Sequence, residues 1–194
     1  GTPSQCGDYE IRTFTGPGTF CVTAAAICAA NNLVSYMVVA GGGSGGQYGA
    51  GGGGGAGGFR ELVSPTAPYT ASPLDGYPSA PNRITVSATG YPITVGAGGV
   101  GQTTASTRGN NGSASIFSTT TSAGGGGGGS YTGSCTGENT GNTGGSGGGS
   151  GDNNSAGTYP GGAGNTPPTT PAQGTAGGQA QFVSGIWRAG GGGG

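Results

Sequence analysis

The residues able to do chemistry are few and poorly spaced for it. Gly96-Ala97-Gly98-Gly99-Val100-Gly101 satisfies G-x-G-x-x-G directly after a β-branched run. In that arrangement a dinucleotide pyrophosphate rests on glycine backbone at a helix N-terminus. Here no helix follows, because 102–112 is rich in Thr, Ser, Gly and Asn, and no acidic residue stands ~20 positions on to take a ribose hydroxyl. With 53 glycines among 194 residues such a match arises by chance. The carboxylates Asp8, Glu10, Glu61, Asp75, Glu138 and Asp152 never cluster with a catalytic partner and read as solvated charge. Asp152-Asn153-Asn154 beside Gly151 offers oxygens to calcium, but without EF-hand spacing an Asx turn is the simpler reading. Asn111-Gly112-Ser113 and Asn153-Asn154-Ser155 fit the glycan-acceptor pattern, which matters only in a eukaryotic secretory pathway.

Four cysteines, Cys6, Cys21, Cys28 and Cys135, allow two disulfides in three connectivities. Spacing favours Cys21 with Cys28, leaving Cys6 with Cys135, a long closure worth on the order of a few kcal/mol in the entropic account. Four reduced thiols are the alternative. There is no C-x-x-C and no His, so no zinc site is expected.

Histidine and lysine are both absent, which removes the commonest general base, the commonest metal ligand and the lysine of a phosphate loop. The chain is therefore read as no enzyme, with neither metal nor cofactor. Net charge is −1, and the arginines are scattered at 12, 60, 83, 108 and 188, so nothing steers the chain toward nucleic acid or anionic lipid. No run approaches the ~20 apolar residues of a membrane span, and no signal-type segment follows Gly1. Gly190–Gly194 has the look of a further glycine segment, which leaves room for the chain to continue past 194.

The elements around these residues are β and glycine. FTGPGTFCVT at 14–23 reads as a hairpin about Gly16-Pro17-Gly18, with Phe14, Phe20 and Val22 facing inward. VSYMVVA at 34–40, RITVSA at 83–88, YPITV at 91–95, ASIFST at 114–119 and QFVSGIW at 181–187 read as strands, the second and third flanking a Thr89-Gly90 turn. TAAAICAANN at 23–32 supports one helical turn at most. The prolines within 63–82 and 160–171 exclude central strands and mark surface excursions.

Glycine fills 41–58, 124–129 with 141–151, and 161–178 running to the terminus. Collagen is excluded, since glycine is not confined to every third residue. Polyglycine II helices fit better, at about 3.1 Å per residue as in polyproline II. Without Cβ atoms such helices pack side by side and satisfy one another's backbone groups. Gly53, Gly126, Gly127 and Gly148 are the candidate structural core. The expected fold is mainly β with almost no α-helix, a small antiparallel β-sandwich plus a packed glycine-helix bundle. Residues 1–123 form a β-rich region holding the first glycine block, 124–194 form the bundle, and both belong to one continuous unit. Tyr48, Tyr131 and Tyr159 lie in or beside glycine blocks, where rings suit either contact surfaces or bundle-edge packing. Phe182 and Trp187 favour core or interface packing.

SYMVVAGGG at 35–43, GAGGGGGAGGF at 49–59, YPITVGAGG at 91–99 and STTTSAGGGGGG at 118–129 together resemble the glycine-rich domain of bacteriophage tail-fibre and related virion proteins. FTGPGTFCV at 14–22 resembles the opening hairpin of that domain, and the resemblance spans roughly 9–194. It implies an extracellular virion component that associates with itself or with other virion proteins. By similarity to polyglycine adhesins at phage fibre tips, the loops Tyr131–Asn142, Asp152–Pro160 and Asn165–Gln173 would face a host-surface glycan or outer-membrane protein. Tyr131, Glu138, Asn139, Asn153, Tyr159 and Asn165 are the receptor-contact candidates. A purely structural role in an appendage fits the same resemblance. A self-assembling extracellular filament joined through strand edges such as 34–40 is the alternative, and an ice-binding protein a further one that irregular block lengths disfavour.

Overall fold

The computed structural model describes residues 1–131, 137–152, 158–183 and 185–194. It is mainly β, in small antiparallel sheets, and its only helical elements among the described residues are two short 3-10 turns. Thr2–Cys6 (β1) and Tyr9–Thr13 (β2) form an exposed N-terminal hairpin. Gly18–Cys21 (β3), Tyr36–Val39 (β4), Phe59–Leu62 (β5), Gly90–Thr94 (β6), Ser115–Phe117 (β7) and Thr120–Ser122 (β8) build the main β unit. It comprises a four-stranded sheet, β3-β6-β7-β8, and the ribbon β4-β5. Thr158–Tyr159 (β9), Ala180–Val183 (β10) and Ile186–Arg188 (β11) form a separate sheet in the order β11-β10-β9.

Alternation along β4 turns Tyr36 and Val38 inward and leaves Met37 and Val39 exposed. Tyr36 and Val38 join Leu62, Ile84 and Phe117 in an apolar core, with Phe20, Tyr91 and Ile93 packed against it. Phe20 and Tyr36 each meet the Phe117 ring edge-on with centroids 5.8 Å apart, a favourable arrangement of aromatic quadrupoles. The Tyr36 hydroxyl donates to the Asn82 carbonyl at 2.7 Å and accepts from Thr120 Oγ1 at 3.1 Å. Burial pushes its pKa up, with the Thr120 bond opposing.

Several strand pairings differ from the sequence expectation. The Gly16-Pro17-Gly18 turn closes no hairpin, because β3 pairs with β6 instead. Likewise 83–88 and 91–95 do not flank a hairpin: 83–88 forms a single bridge, Leu33 to Thr85, while β6 lies between β3 and β7. Both pairings are settled by burying Phe20, Tyr91 and Ile93 on one face, which local turn chemistry does not encode. The run 181–187 is two strands, β10 and β11, turning at Gly185 with a φ of 79°. Cys6, Cys21 and Cys28 are exposed free thiols, so Cys21 and Cys28 are not bridged. Segment 23–32 is closed by Asn32 instead, whose side chain donates to the Ala26 carbonyl and accepts from the Ala26 amide. Cys135 lies outside the described residues.

Glycine segments occupy the rest, and their backbone bonds advance in steps of three residues. Each residue from 144 to 152 donates its N–H, in order to the carbonyls of Ala163, Gly124, Ala56, Thr175, Asn142, Gly53, Gly178, Asn139 and Ala50, at 2.7 to 3.2 Å. Residues 146, 149 and 152 thus address one neighbour running antiparallel (56, 53, 50), while 147 and 150 address another running parallel (175, 178). Residues 125–130 sit in a similar lattice, and this stretch and 144–152 are buried throughout. These bonds cross the 123/124 boundary drawn from composition, so the two regions interlock.

Among the described glycines only Gly7, Gly137 and Gly185 lie in the left-handed region, so elsewhere the residue is required by close approach and not by φ. A Cβ on Gly126 would fall on the Asn142 carbonyl, on Gly127 on the Gly109 carbonyl, and on Gly148 on the Gly127 carbonyl. At Gly53 it would lie 3.0 Å from the Gly192 amide nitrogen.

Gly126→Val should therefore abolish folding, since prying segments apart strands buried amides at about 1–3 kcal/mol each against a total stability of about 5–15 kcal/mol. Gly49→Ala, where a Cβ meets nothing within 4 Å, should melt like the parent in circular dichroism. A soluble Gly126→Val protein with unchanged melting temperature would refute the lattice. A second expectation follows from Tyr36. Its folded pKa is raised, so its contribution is complete below the unfolded value near pH 10 and is lost as pH rises through the folded value. Tyr36→Phe should lose about 1 kcal/mol at pH 7, yet fall less steeply than the parent in alkaline melts.

Candidate functional site

Bond directions place the loops. Segment 41–47 runs antiparallel to 107–113 through Gly41 to Ser113, Ser44 to Asn110 and Gln47 to Thr107. It runs parallel to 125–128, which in turn runs parallel to 146–149. The chain therefore leaves the main β unit at Ala40, Gly96 and Ala123 and reaches the opposite end of the bundle at Tyr48, near 101–107, after Ser130 and at Asp152. That far end also carries β9-β10-β11, anchored where Ser150 Oγ donates to the Tyr159 carbonyl at 2.6 Å and accepts from the Ala180 amide.

Three adjoining stretches of chain meet at the tip. In the first, the Gly51 amide donates to the Tyr48 carbonyl at 2.8 Å, and Tyr48, a residue 61% exposed, holds a φ of 81°. In the second, Ser130 Oγ donates to the Gln47 carbonyl at 2.7 Å, bringing Tyr131 beside Tyr48. The two rings stack with centroids 5.8 Å apart and an interplanar angle of 26°. The third contributes Arg108, just after the Thr107 carbonyl that accepts from Gln47. Its Nη1 donates to Asn142 Oδ1 at 2.7 Å, and its Nη2 donates to the Gly137 carbonyl and to Thr140 Oγ1, the latter at 3.1 Å. Its Nε lies 4.0 Å from the Glu138 carboxylate, which is 45% exposed. The Glu138 carbonyl accepts from the Ser130 amide at 2.7 Å, so the same guanidinium-pinned turn adjoins the tyrosines.

The structure gathers Tyr131 and Glu138 at this end, and Tyr159 is there too, half-buried in β9. Asn139, expected as a contact, is only 2% exposed: its Nδ2 donates to the Ser130 and Asp152 carbonyls at 3.3 and 3.0 Å, tying two segment ends. Asn165 belongs to the opposite end. Its Oδ1 accepts from the Thr169 and Gln173 amides at 3.0 and 3.2 Å, closing the proline-rich turn whose Thr170 carbonyl meets Asn82. Asn165–Gln173 thus braces the main β unit, with Gln173 buried and accepting from the Ala123 amide at 2.8 Å. Asn153 and the side chain of Trp187 lie outside the described residues.

The sequence presented Asn111 only as a glycan-acceptor match and Arg108 only as one of five scattered arginines. Asn111 Oδ1 accepts from the Gly127 amide at 2.9 Å, replacing a neighbouring carbonyl for one buried glycine. A lone Asn or Arg between glycine blocks was the available signal. A hollow of about 520 Å³ lined by Pro3, Ser4, Gln5, Asp8 and Glu10 lies on the N-terminal hairpin, where none of these aromatic or guanidinium groups converges.

Taken together, the fold and tip define a glycine-lattice scaffold joined at one end to a small β unit and carrying loops at the other. The chain matches the family model of the glycine-rich domain over residues 15–194 and belongs to that family. The β1–β2 hairpin precedes the matched region. Comparisons with curated proteins and with solved structures found no match.

Arg108→Gln should free the 137–142 turn, with amide exchange there accelerating by roughly tenfold as bonds worth about 1.5 kcal/mol or more are lost. Exchange in 144–152 should not change. Uniform acceleration in both segments would contradict a local latch.

Proposed function

We propose that this protein is a structural component of a phage virion appendage, a tail fibre or an adhesin-like tip, located on the virion and outside the cell. In this reading the glycine segments are polyglycine II helices, and the work of the molecule is mechanical and adhesive, with no catalysis and no cofactor. The observation that carries it is the three-residue hydrogen-bond repeat. A threefold helix turns successive amides toward different neighbours, as residues 144–152 do. Such a lattice is stiff without an apolar core along its length and suits an element that must project loops away from its attachment. The resemblance of 35–43, 49–59, 91–99 and 118–129 to virion glycine-rich domains supports the same reading. The partners are further copies or other virion proteins at the β end, and a host-surface glycan or outer-membrane protein at the tip.

A glycine-rich extracellular filament is the second reading, favoured by one feature. β4 is paired on one side only among the described residues, and Met37 and Val39 stand exposed on it, a combination that invites strand addition.

Immunogold electron microscopy of the native source, using antibody raised against this chain, separates the two. Label on appendages of discrete particles is the expected result. Label along unbounded fibres would overturn the virion reading in favour of the filament.

A further inference from the structure

We propose that Tyr48 and Tyr131 form a platform for one face of a neutral pyranose ring, an inference that rests on the attachment reading above. The first argument is positional. Residues 49–58 are glycine at all but two positions, Ala50 and Ala56, so the turn at 48 has glycine ready to hand for a positive φ. Instead a tyrosine holds φ at 81° and projects most of its surface into solvent. A non-glycine residue kept in that region costs of order 1 kcal/mol and is expected where the side chain is needed. The turn itself is closed without the ring, by the Gly51 amide on the Tyr48 carbonyl.

The second argument is geometric. Stacking on Tyr131 at 5.8 Å fixes the orientation of the Tyr48 ring, and Ser130 Oγ on the Gln47 carbonyl fixes the two backbones that carry the pair. One ring face is thereby presented outward on a rigid support. The electron-rich face of an aromatic ring attracts polarised C–H groups, and a pyranose offers such groups on its less hydroxylated face. Sugar hydroxyls at the rim need polar partners, and the adjoining 137–142 turn carries the exposed Glu138 carboxylate.

Charge decides between neutral and acidic sugars. The Arg108 guanidinium is engaged by Asn142, Gly137 and Thr140 and faces Glu138, so it is not left to hold a carboxylate or phosphate ligand. The exposed carboxylate of Glu138 repels one. A neutral hexopyranoside is the ligand class that remains.

The test is saturation-transfer difference NMR on the whole chain with methyl β-galactopyranoside, methyl α-mannopyranoside and N-acetylglucosamine, each at millimolar concentration. Transfer to protons on one face of at least one of these sugars is expected. Tyr48→Gly should reduce it about fivefold or more, as expected for loss of one stacking ring, while melting at the same temperature or higher because the positive φ is relieved. Tyr48→Trp should retain it. No transfer with any of the three, or transfer undiminished in a folded Tyr48→Gly protein, overturns the platform. Appendage labelling with no sugar contact would leave the attachment reading standing without this site, and sugar contact on a protein that labels unbounded fibres would do the reverse.

Discussion

Every buried amide must find an acceptor, and in this protein that rule takes the place usually held by apolar packing. Residues 125–130 and 144–152 contribute no side chain larger than serine or aspartate, yet they are the most enclosed parts of the chain. What encloses them is other backbone, and the bonds run outward to several neighbours in turn. Each bond nets only about 1 kcal/mol, but leaving one unmade in the interior costs about 1–3 kcal/mol. The lattice is therefore held together chiefly by the penalty for gaps. That explains why side chains appear where backbone runs out: Asn111 caps Gly127, Gln173 caps Ala123, and Asn139 ties Ser130 to Asp152.

A lattice of this kind does not readily set its own register, because one glycine is much like the next. The main β unit supplies the missing information. Its apolar core around Tyr36, Leu62 and Phe117 fixes where β4, β5, β6, β7 and β8 hand over to glycine segments, and the three-residue repeat carries that alignment to the far end. The Asn165–Gln173 turn clamps the same junction from outside through Asn82, Phe59 and Ala123. Polar and aromatic residues then concentrate at the two ends with different tasks: buried amide side chains close the β end, and tyrosines with a pinned acidic turn stand at the other. The 3-residue period also fixes where the described segments end at the far end, since their neighbours are already bonded along their length.

Composition settled a good deal by itself. Fifty-three glycines and sparse charge pointed to a backbone-bonded scaffold, and β-branched runs located β4, β6 and β7 to within a few residues. The candidate glycines Gly126, Gly127 and Gly148 could be chosen because six or more glycines in a neighbourhood have no use except close approach. Only tertiary structure decided which strands pair, since Phe20, Tyr91 and Ile93 share a face across long separations and Gly16-Pro17-Gly18 carries no sign that its hairpin is unused. It also decided which loops share an end. The direction of each segment follows from its bonding partners, and those partners are chosen by shape among nearly identical glycines. Hence Tyr48 and Arg108 join Tyr131 and Glu138, while Asn165 and Asn139, equally plausible by residue type, serve as internal ties. Residue type is local and was legible in the sequence, whereas the hydrogen-bond partner of a glycine is a property of its neighbours in space.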